Sequence, residues 1–102
     1  MVSLSVIYIL RTHLLEDPDV VFYYQGTAKE QGVPFALNTI VSFEPANAAA
    51  FYSRGGAIWL CDKLNQDKES LARVGYSEFE VVAIIKKIAI TSQPQQSNNV
   101  II

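Results

Sequence analysis

Residues 4–11 have the sequence LSVIYILR, which places apolar side chains on both faces of an extended chain. Apolar residues on both faces are typical of a central strand that is covered on each side. We therefore expect the fold to be organised around a strand at this segment. One face carries Leu4, Val6, Tyr8 and Leu10, and the other carries Ile7 and Ile9.

Three later segments also have strand-like patterns, at residues 20–26, 35–43 and 79–90. The first and last are dense in β-branched and aromatic residues, and the middle one alternates in polarity, as a half-buried strand does. In the last, Lys86 and Lys87 favour an edge strand guarded against aggregation. In the middle segment one face would carry Phe35, Leu37, Val41 and Phe43, and the other Ala36, Asn38 and Ser42.

Helical signals are concentrated between residues 45 and 75. Pro45 ends the third strand, and PANAAAF suits a short helical turn with proline in its first positions. Ser53 is expected to cap the next helix. A second short helix is expected in DKESLARVG, ending at Gly75. The main helix has an apolar stripe at i, i+3, i+4 and i+7 spacing, formed by Ala57, Leu60, Cys61 and Leu64.

This order predicts an α+β fold, with a mostly antiparallel sheet of about four strands. One main helix and one or two short helices would cover one face of the sheet. We expect one domain at residues 1–91 and a flexible, Gln/Asn-rich tail at residues 92–102. The alternative is that the apolar end of this tail, Val100, Ile101 and Ile102, is docked rather than mobile. The order of strands in the sheet does not follow from the pattern.

Composition excludes several classes of function. A net charge of −2 on 102 residues argues against general nucleic-acid binding, which needs clustered Lys and Arg. No apolar run reaches the roughly 18 residues of a membrane span, and the N-terminus lacks signal-peptide features. A cytoplasmic protein without cofactors is therefore expected.

Residues that could carry chemistry are few. The single histidine, His13, is followed by Glu16, Asp17 and Asp19, but their spacing fits no common metal motif, so a solvated acidic turn is favoured. The single cysteine, Cys61, lies on the apolar stripe, where burial would raise its pKa and make it less reactive. The sequence therefore supports neither a metal site at His13 nor nucleophilic catalysis by Cys61, and we predict that the protein is not an enzyme.

The strongest functional hint is on the face of the main helix opposite the stripe. At about 100° per residue, Trp59 points away from the stripe and falls among Gly55, Asp62 and Lys63. Exposed tryptophan is enriched in interface hot spots, and glycines would allow close approach of a partner. The predicted protein-contact or homodimer surface comprises Gly55, Gly56, Ile58, Trp59, Asp62 and Lys63. The alternative is that Trp59 packs under the 27–34 loop or the tail.

A second hypothesis concerns the start of the same helix. Ser53, Arg54 and Gly55 would lie where free N–H groups and the helix dipole favour an anion. A small anionic ligand, such as a nucleotide-derived signal, could bind there, with a guanidinium contact from Arg54. The alternative is a helix cap beside an exposed arginine.

VSFEPANAAAFYSRGGAIWLCDKL, followed by SEFEVVAI, resembles a pattern found in small phage and prophage accessory proteins. The resemblance covers residues 41–84 and consists of a strand end, an Ala-rich turn, a Ser-capped short helix and a Val-rich returning strand. It implies an inhibitory role, in which the protein binds and blocks a host component such as an immune effector. It transfers no site residues. The leading hypothesis is therefore a non-catalytic, oligomeric binding protein.

Overall fold

The computed structural model describes residues 2–89, and the side chains of residues 4–85. It confirms the α+β prediction: four antiparallel strands form one sheet in the order β3-β2-β1-β4. The expected tail at residues 92–102 lies outside the described residues. The strands are β1 (Val2–His13), β2 (Val21–Thr27), β3 (Thr39–Ser42) and β4 (Glu80–Ala89), and the helices are α1 (Arg54–Asn65) and α2 (Lys68–Val74).

The sheet is held together most extensively between its first and last strands in sequence. β1 pairs with β4 without interruption from Val2↔Ala89 to Arg11↔Glu80. β1 pairs with β2 only at residues 11–13. Earlier in β1, Tyr8 instead exchanges two backbone hydrogen bonds of 2.8 Å with Phe51. β1 therefore lies inside the sheet, as predicted, and β4 forms one edge.

The core lies between one face of this sheet and the two α-helices. From α1, Ala57, Cys61 and Leu64 are buried, and from α2, Leu71 is buried. They join Leu10 of β1 in one cluster. Leu60 is partly buried against the same cluster. The predicted apolar stripe of α1 is therefore confirmed, and both helices pack on the sheet face that carries Leu10.

The helix ends follow local sequence signals. The Ser53 hydroxyl accepts a hydrogen bond from the Gly56 N–H at 3.2 Å and caps α1, as predicted. Asp67 caps α2 by accepting from the N–H and the hydroxyl of Ser70. These hydrogen bonds lower the pKa of the Asp67 carboxyl. Gly75 ends α2 in the left-handed region at φ 83°, a conformation that favours glycine.

The end of α1 is joined directly to the start of β4. The Asn65 side chain donates to the Phe79 carbonyl at 2.9 Å and accepts from the Phe79 N–H at 2.7 Å. These two bonds satisfy a backbone unit that would otherwise lack a ladder partner before β4 begins. The orientation of α1 on the sheet is therefore fixed at its C-terminal end.

The predicted strand at residues 35–43 is wrong in its first half. Phe35–Asn38 forms a 3-10 helix, and only Thr39–Ser42 is a strand. Pro34 precedes this turn and its carbonyl accepts from the Leu37 N–H at 3.0 Å. The Asn38 side chain also donates to the carbonyls of Glu30 and Val33, and such local bonds compete with strand pairing. A second 3-10 helix at Pro45–Asn47 confirms the predicted turn.

The prediction that β1 is covered on both faces is also wrong for its first half. Leu10 is fully buried, but Leu4 is 65% exposed and Val6 is 46% exposed on the same face. The helices cover only the C-terminal half of β1, and the strand continues past them. Residues 2–7 of β1 and 84–89 of β4 thus form a two-stranded ribbon beyond the core.

Candidate protein-contact surface

The outward face of α1 is set by the burial of its opposite face. Because Ala57, Cys61 and Leu64 point into the core, helical periodicity turns Trp59 away from it. The Trp59 side chain is 64% exposed. Of the other predicted contact residues, Gly55, Gly56, Asp62 and Lys63 are exposed, and Ile58, on the flank, is half-buried. The structure therefore brings all six predicted residues to one side of α1.

Lys63 links Trp59 to Phe35, which was not among the predicted contact residues. The Lys63 Nζ lies 5.1 Å from the centre of the Trp59 ring and 4.4 Å from the centre of the Phe35 ring. Both distances are within the range of a cation–π interaction. Phe35 was predicted to lie in a strand, and the 3-10 helix instead brings it to α1. We call Gly55, Gly56, Ile58, Trp59, Asp62, Lys63 and Phe35 the α1 outer surface.

Trp59 does not pack beneath the 27–34 loop, since most of its side chain is exposed. The tail, which was the other expected cover for Trp59, lies outside the described residues. It lines a shallow depression of about 420 Å³ with Asp62, Lys63 and Gln66. The walls carry one acidic, one basic and one amide group around an indole. An aromatic side chain ringed by polar groups matches the aromatic centre and polar rim of protein interfaces.

No contact within residues 2–89 requires glycine at positions 55 and 56. Both have ordinary backbone angles, since positive φ occurs only at Gly32 and Gly75 among the described glycines. A Cβ at Gly55 would lie 3.7 Å from the Ser53 Oγ, and one at Gly56 would lie 3.8 Å from the Ser53 Cβ. These are normal contacts. The glycines leave an open strip of backbone on the α1 outer surface.

The alternative anion site at Ser53, Arg54 and Gly55 is exposed at the start of α1. Its capping hydroxyl is already in use, because Ser53 accepts from the Gly56 N–H. This bond occupies one of the donors that an anion would otherwise engage. The structure thus confirms the predicted cap and places Arg54 and Gly55 beside it.

Cys61 is a core residue. It is 6% exposed, and its Sγ donates to the Phe79 carbonyl at 3.2 Å. Burial raises the pKa of the Cys61 thiol, and the nearby Asp62 carboxylate raises it further. The thiolate required of a nucleophile is therefore disfavoured.

His13 ends β1 and is half-buried. Its Nδ1 lies 2.8 Å from the Leu14 carbonyl. Within residues 2–89, no group of three or more His, Cys, Asp or Glu side chains is placed to hold a metal ion. In the same part of the chain, no helix has the length and apolar character needed to cross a membrane.

Comparison of the chain with protein-family models, with curated proteins and with solved structures gives no match. The functional argument therefore depends on the residues and their geometry.

Proposed function

We propose that this chain is a non-catalytic protein that binds another protein through the α1 outer surface. The observation that carries the proposal is the exposure of Trp59, at 64%, on a helix whose opposite face is fully committed to the core. Tryptophan loses much of its contact with water when a partner covers it, and it is among the commonest hot-spot residues.

The shape of this surface favours a protein over a small molecule. Small-molecule sites are concave and enclose most of their ligand, whereas Trp59 stands out from a helix beside a shallow depression. Lys63 contacts both Trp59 and Phe35, which restricts the rotamers of these side chains before a partner arrives. Less side-chain entropy is then lost on binding.

The two glycines support the same proposal. Helices seldom retain glycine at exposed positions, because it costs up to about 1 kcal/mol relative to alanine. Since the fold tolerates a Cβ at both positions, their use is better explained by a partner whose backbone approaches α1 closely. A helix or strand of the partner would lie along Gly55 and Gly56 with Trp59 at its side.

The resemblance to small phage and prophage accessory proteins extends the proposal to a biological role. A protein of this kind would act in the host cytoplasm as an inhibitor, covering a functional surface of a host protein, with a defence component as the leading candidate. Such a role needs no cofactor and no catalytic group. It needs a rigid contact surface, which α1 supplies through its fixed cap and its Asn65 link to β4.

The test compares three full-length baits in a pull-down from host lysate: wild type, Trp59→Ala and Phe43→Ala. Phe43 is the matched control, because it is also an exposed aromatic residue, with 66% of its surface exposed. Its ring centre lies 4.7 Å from the ring centre of Phe22. We expect a protein retained by wild type and Phe43→Ala but not by Trp59→Ala. With that protein purified, Trp59→Ala should weaken the affinity at least about tenfold. Equal binding by all three baits would refute the proposal.

The alternative function is an oligomeric binder of a small anionic ligand at Ser53, Arg54 and Gly55. The observation in its favour is the exposure of Arg54 at the start of a twelve-residue helix. A thermal-shift screen against nucleotides distinguishes the two functions. A ligand that stabilises wild type and Trp59→Ala but not Arg54→Ala would establish the alternative, and a screen without hits would remove it.

A further inference from the structure

β4 presents an uncovered backbone edge. It lies at the end of the strand order β3-β2-β1-β4, so nothing in residues 2–89 pairs with its outer side. The strand has ten residues, contains no proline and keeps one register with β1 throughout. Long, regular edges are usually blunted by bulges, prolines or covering loops because they can pair with another chain.

The hydrogen bonds of β1 show which N–H and C=O groups of β4 point to the open edge. Tyr8 exchanges both of its backbone hydrogen bonds with Phe51, so it makes none with its β4 partner Ala83. In an antiparallel ladder such pairs alternate with hydrogen-bonded ones. The N–H and C=O of Ala83 therefore point to the open edge, and those of Val81 and Ile85 do likewise.

Exposed apolar side chains lie next to this edge. Ile85 is 70% exposed and pairs with Val6, which is 46% exposed. Leu4 continues the same sheet face at 65% exposure. This apolar surface is on the ribbon that extends past the helices, so no described part of the chain packs on it.

We propose that a second copy of this chain pairs with it, antiparallel, through β4. The two-fold axis lies at Ala83, which faces Ala83 of the second copy. Val81 then faces Ile85 of the second copy, and each of these pairs uses the outward N–H and C=O groups. The product is one continuous sheet across both copies.

Charge selects this register. With the axis at Ala83, Glu80 of each copy lies opposite Lys86 of the other, so an acidic residue faces a basic one at both ends. A shift of the pairing by two residues places Glu80 opposite Ile84 or Ile88 instead. A register centred on Lys86 would oppose like charges. The lysines expected to guard the edge therefore discourage other pairings while permitting this one.

Burial also improves in this arrangement. Residues opposite each other in the ladder share a sheet face, so Ile85 would lie beside Val81 of the second copy. Val81 is packed against the core under the helices. The ribbon of one copy thereby lies next to the covered half of the other copy, where its apolar face gains contact.

The first test measures the mass of the full chain by sedimentation equilibrium over a range of concentrations. Wild type should be a dimer, and Glu80→Lys or Lys86→Glu alone should raise the dissociation constant at least about tenfold. The double variant E80K/K86E should have a dissociation constant within about threefold of the wild-type value. Glu80 also binds Arg11 at 2.9 Å within one copy. The double variant lacks that bond too, so a restored dimer reports the contact between copies.

The second test is Ala83→Pro, which removes an outward N–H without removing a bond to β1. The variant should be monomeric with an unchanged circular dichroism spectrum, while Trp59→Ala stays dimeric. If Ala83→Pro does not fold, amide exchange at Ala83 and Ile85 of wild type should slow as concentration rises.

Three results would overturn the proposal. One is that the wild type has the mass of a single chain at every concentration. If the β4 amides of that monomer are protected from exchange, another segment of the same chain covers the edge. Another is a folded Ala83→Pro that remains dimeric. The third is a dimer lost in Trp59→Ala but kept in Ala83→Pro, which would assign it to the α1 outer surface.

Discussion

The two faces of α1 belong to the same helix but differ in burial: one packs into the core and the other is exposed. The inward face carries Ala57, Cys61 and Leu64, each buried in the core cluster. The outward face carries the chain's largest side chain, Trp59, in contact mainly with a lysine and otherwise exposed. The fold accounts for the inward residues completely. The outward residues are not explained by packing within residues 2–89, and the partner that we propose would explain them.

The inward face should be the most sensitive to truncation. Leu64 is fully buried, so Leu64→Ala should lower the free energy of unfolding by about 2–5 kcal/mol, through lost burial and the cavity left behind. Urea denaturation followed by circular dichroism measures it. A loss below about 1 kcal/mol would mean that the inward face is not well packed and would remove the contrast between the faces.

Cys61 provides a pH-dependent test of the same face. Its pKa is raised in the folded protein above the ordinary value of 9.0, because burial penalises the thiolate. The stability due to this shift is complete below the ordinary pKa and is lost as pH rises through the folded pKa, since the unfolded chain ionises first.

Cys61→Ala should therefore cost about 1 kcal/mol at neutral pH, as for a buried methyl-sized group, and this cost should shrink above pH 9.0. Unfolding free energies of both proteins between neutral and alkaline pH measure the difference. A difference that stays constant with pH would indicate that the thiol is not buried in solution.

Local sequence signals predicted the inward face and the helix ends, because periodicity, the Ser53 cap and the Gly75 stop act within a few residues. The sheet order and the reach of the helices depend on contacts between distant segments. The pattern of residues 4–11 correctly indicated an internal strand. It gave no sign that α1 and α2 would leave Leu4 and Val6 exposed.

Phe35 shows the same limit within the candidate site. Alternation over residues 35–43 predicted a strand, but Pro34 and the Asn38 side-chain bonds stabilise a turn there. In this turn the centre of the Phe35 ring lies 4.4 Å from the Lys63 Nζ. The preceding proline was the available signal, since it disfavours strand pairing at its own position. The outward residues of α1 were predictable because the periodicity of a single helix determines which of its residues face away from the core.

Substitution of the outward glycines by alanine should stabilise the protein, whereas truncation of core residues destabilises it. Gly55→Ala and Gly56→Ala should each raise the free energy of unfolding by about 0.4–1 kcal/mol, because the folded backbone accommodates a Cβ and the unfolded chain loses freedom. Thermal unfolding measures the gain, and partner affinity should fall in the same variants. Destabilisation by either alanine would show that the fold itself needs the glycine.

The most direct test of a surface role for Trp59 is the free energy of unfolding of Trp59→Ala, measured beside Leu64→Ala under the same conditions. The exposed indole contributes a cation–π contact with Lys63 and little burial. We expect a loss of at most about 1 kcal/mol, well below that of Leu64→Ala. A loss for Trp59→Ala as large as that for Leu64→Ala would make Trp59 a structural residue and contradict the account.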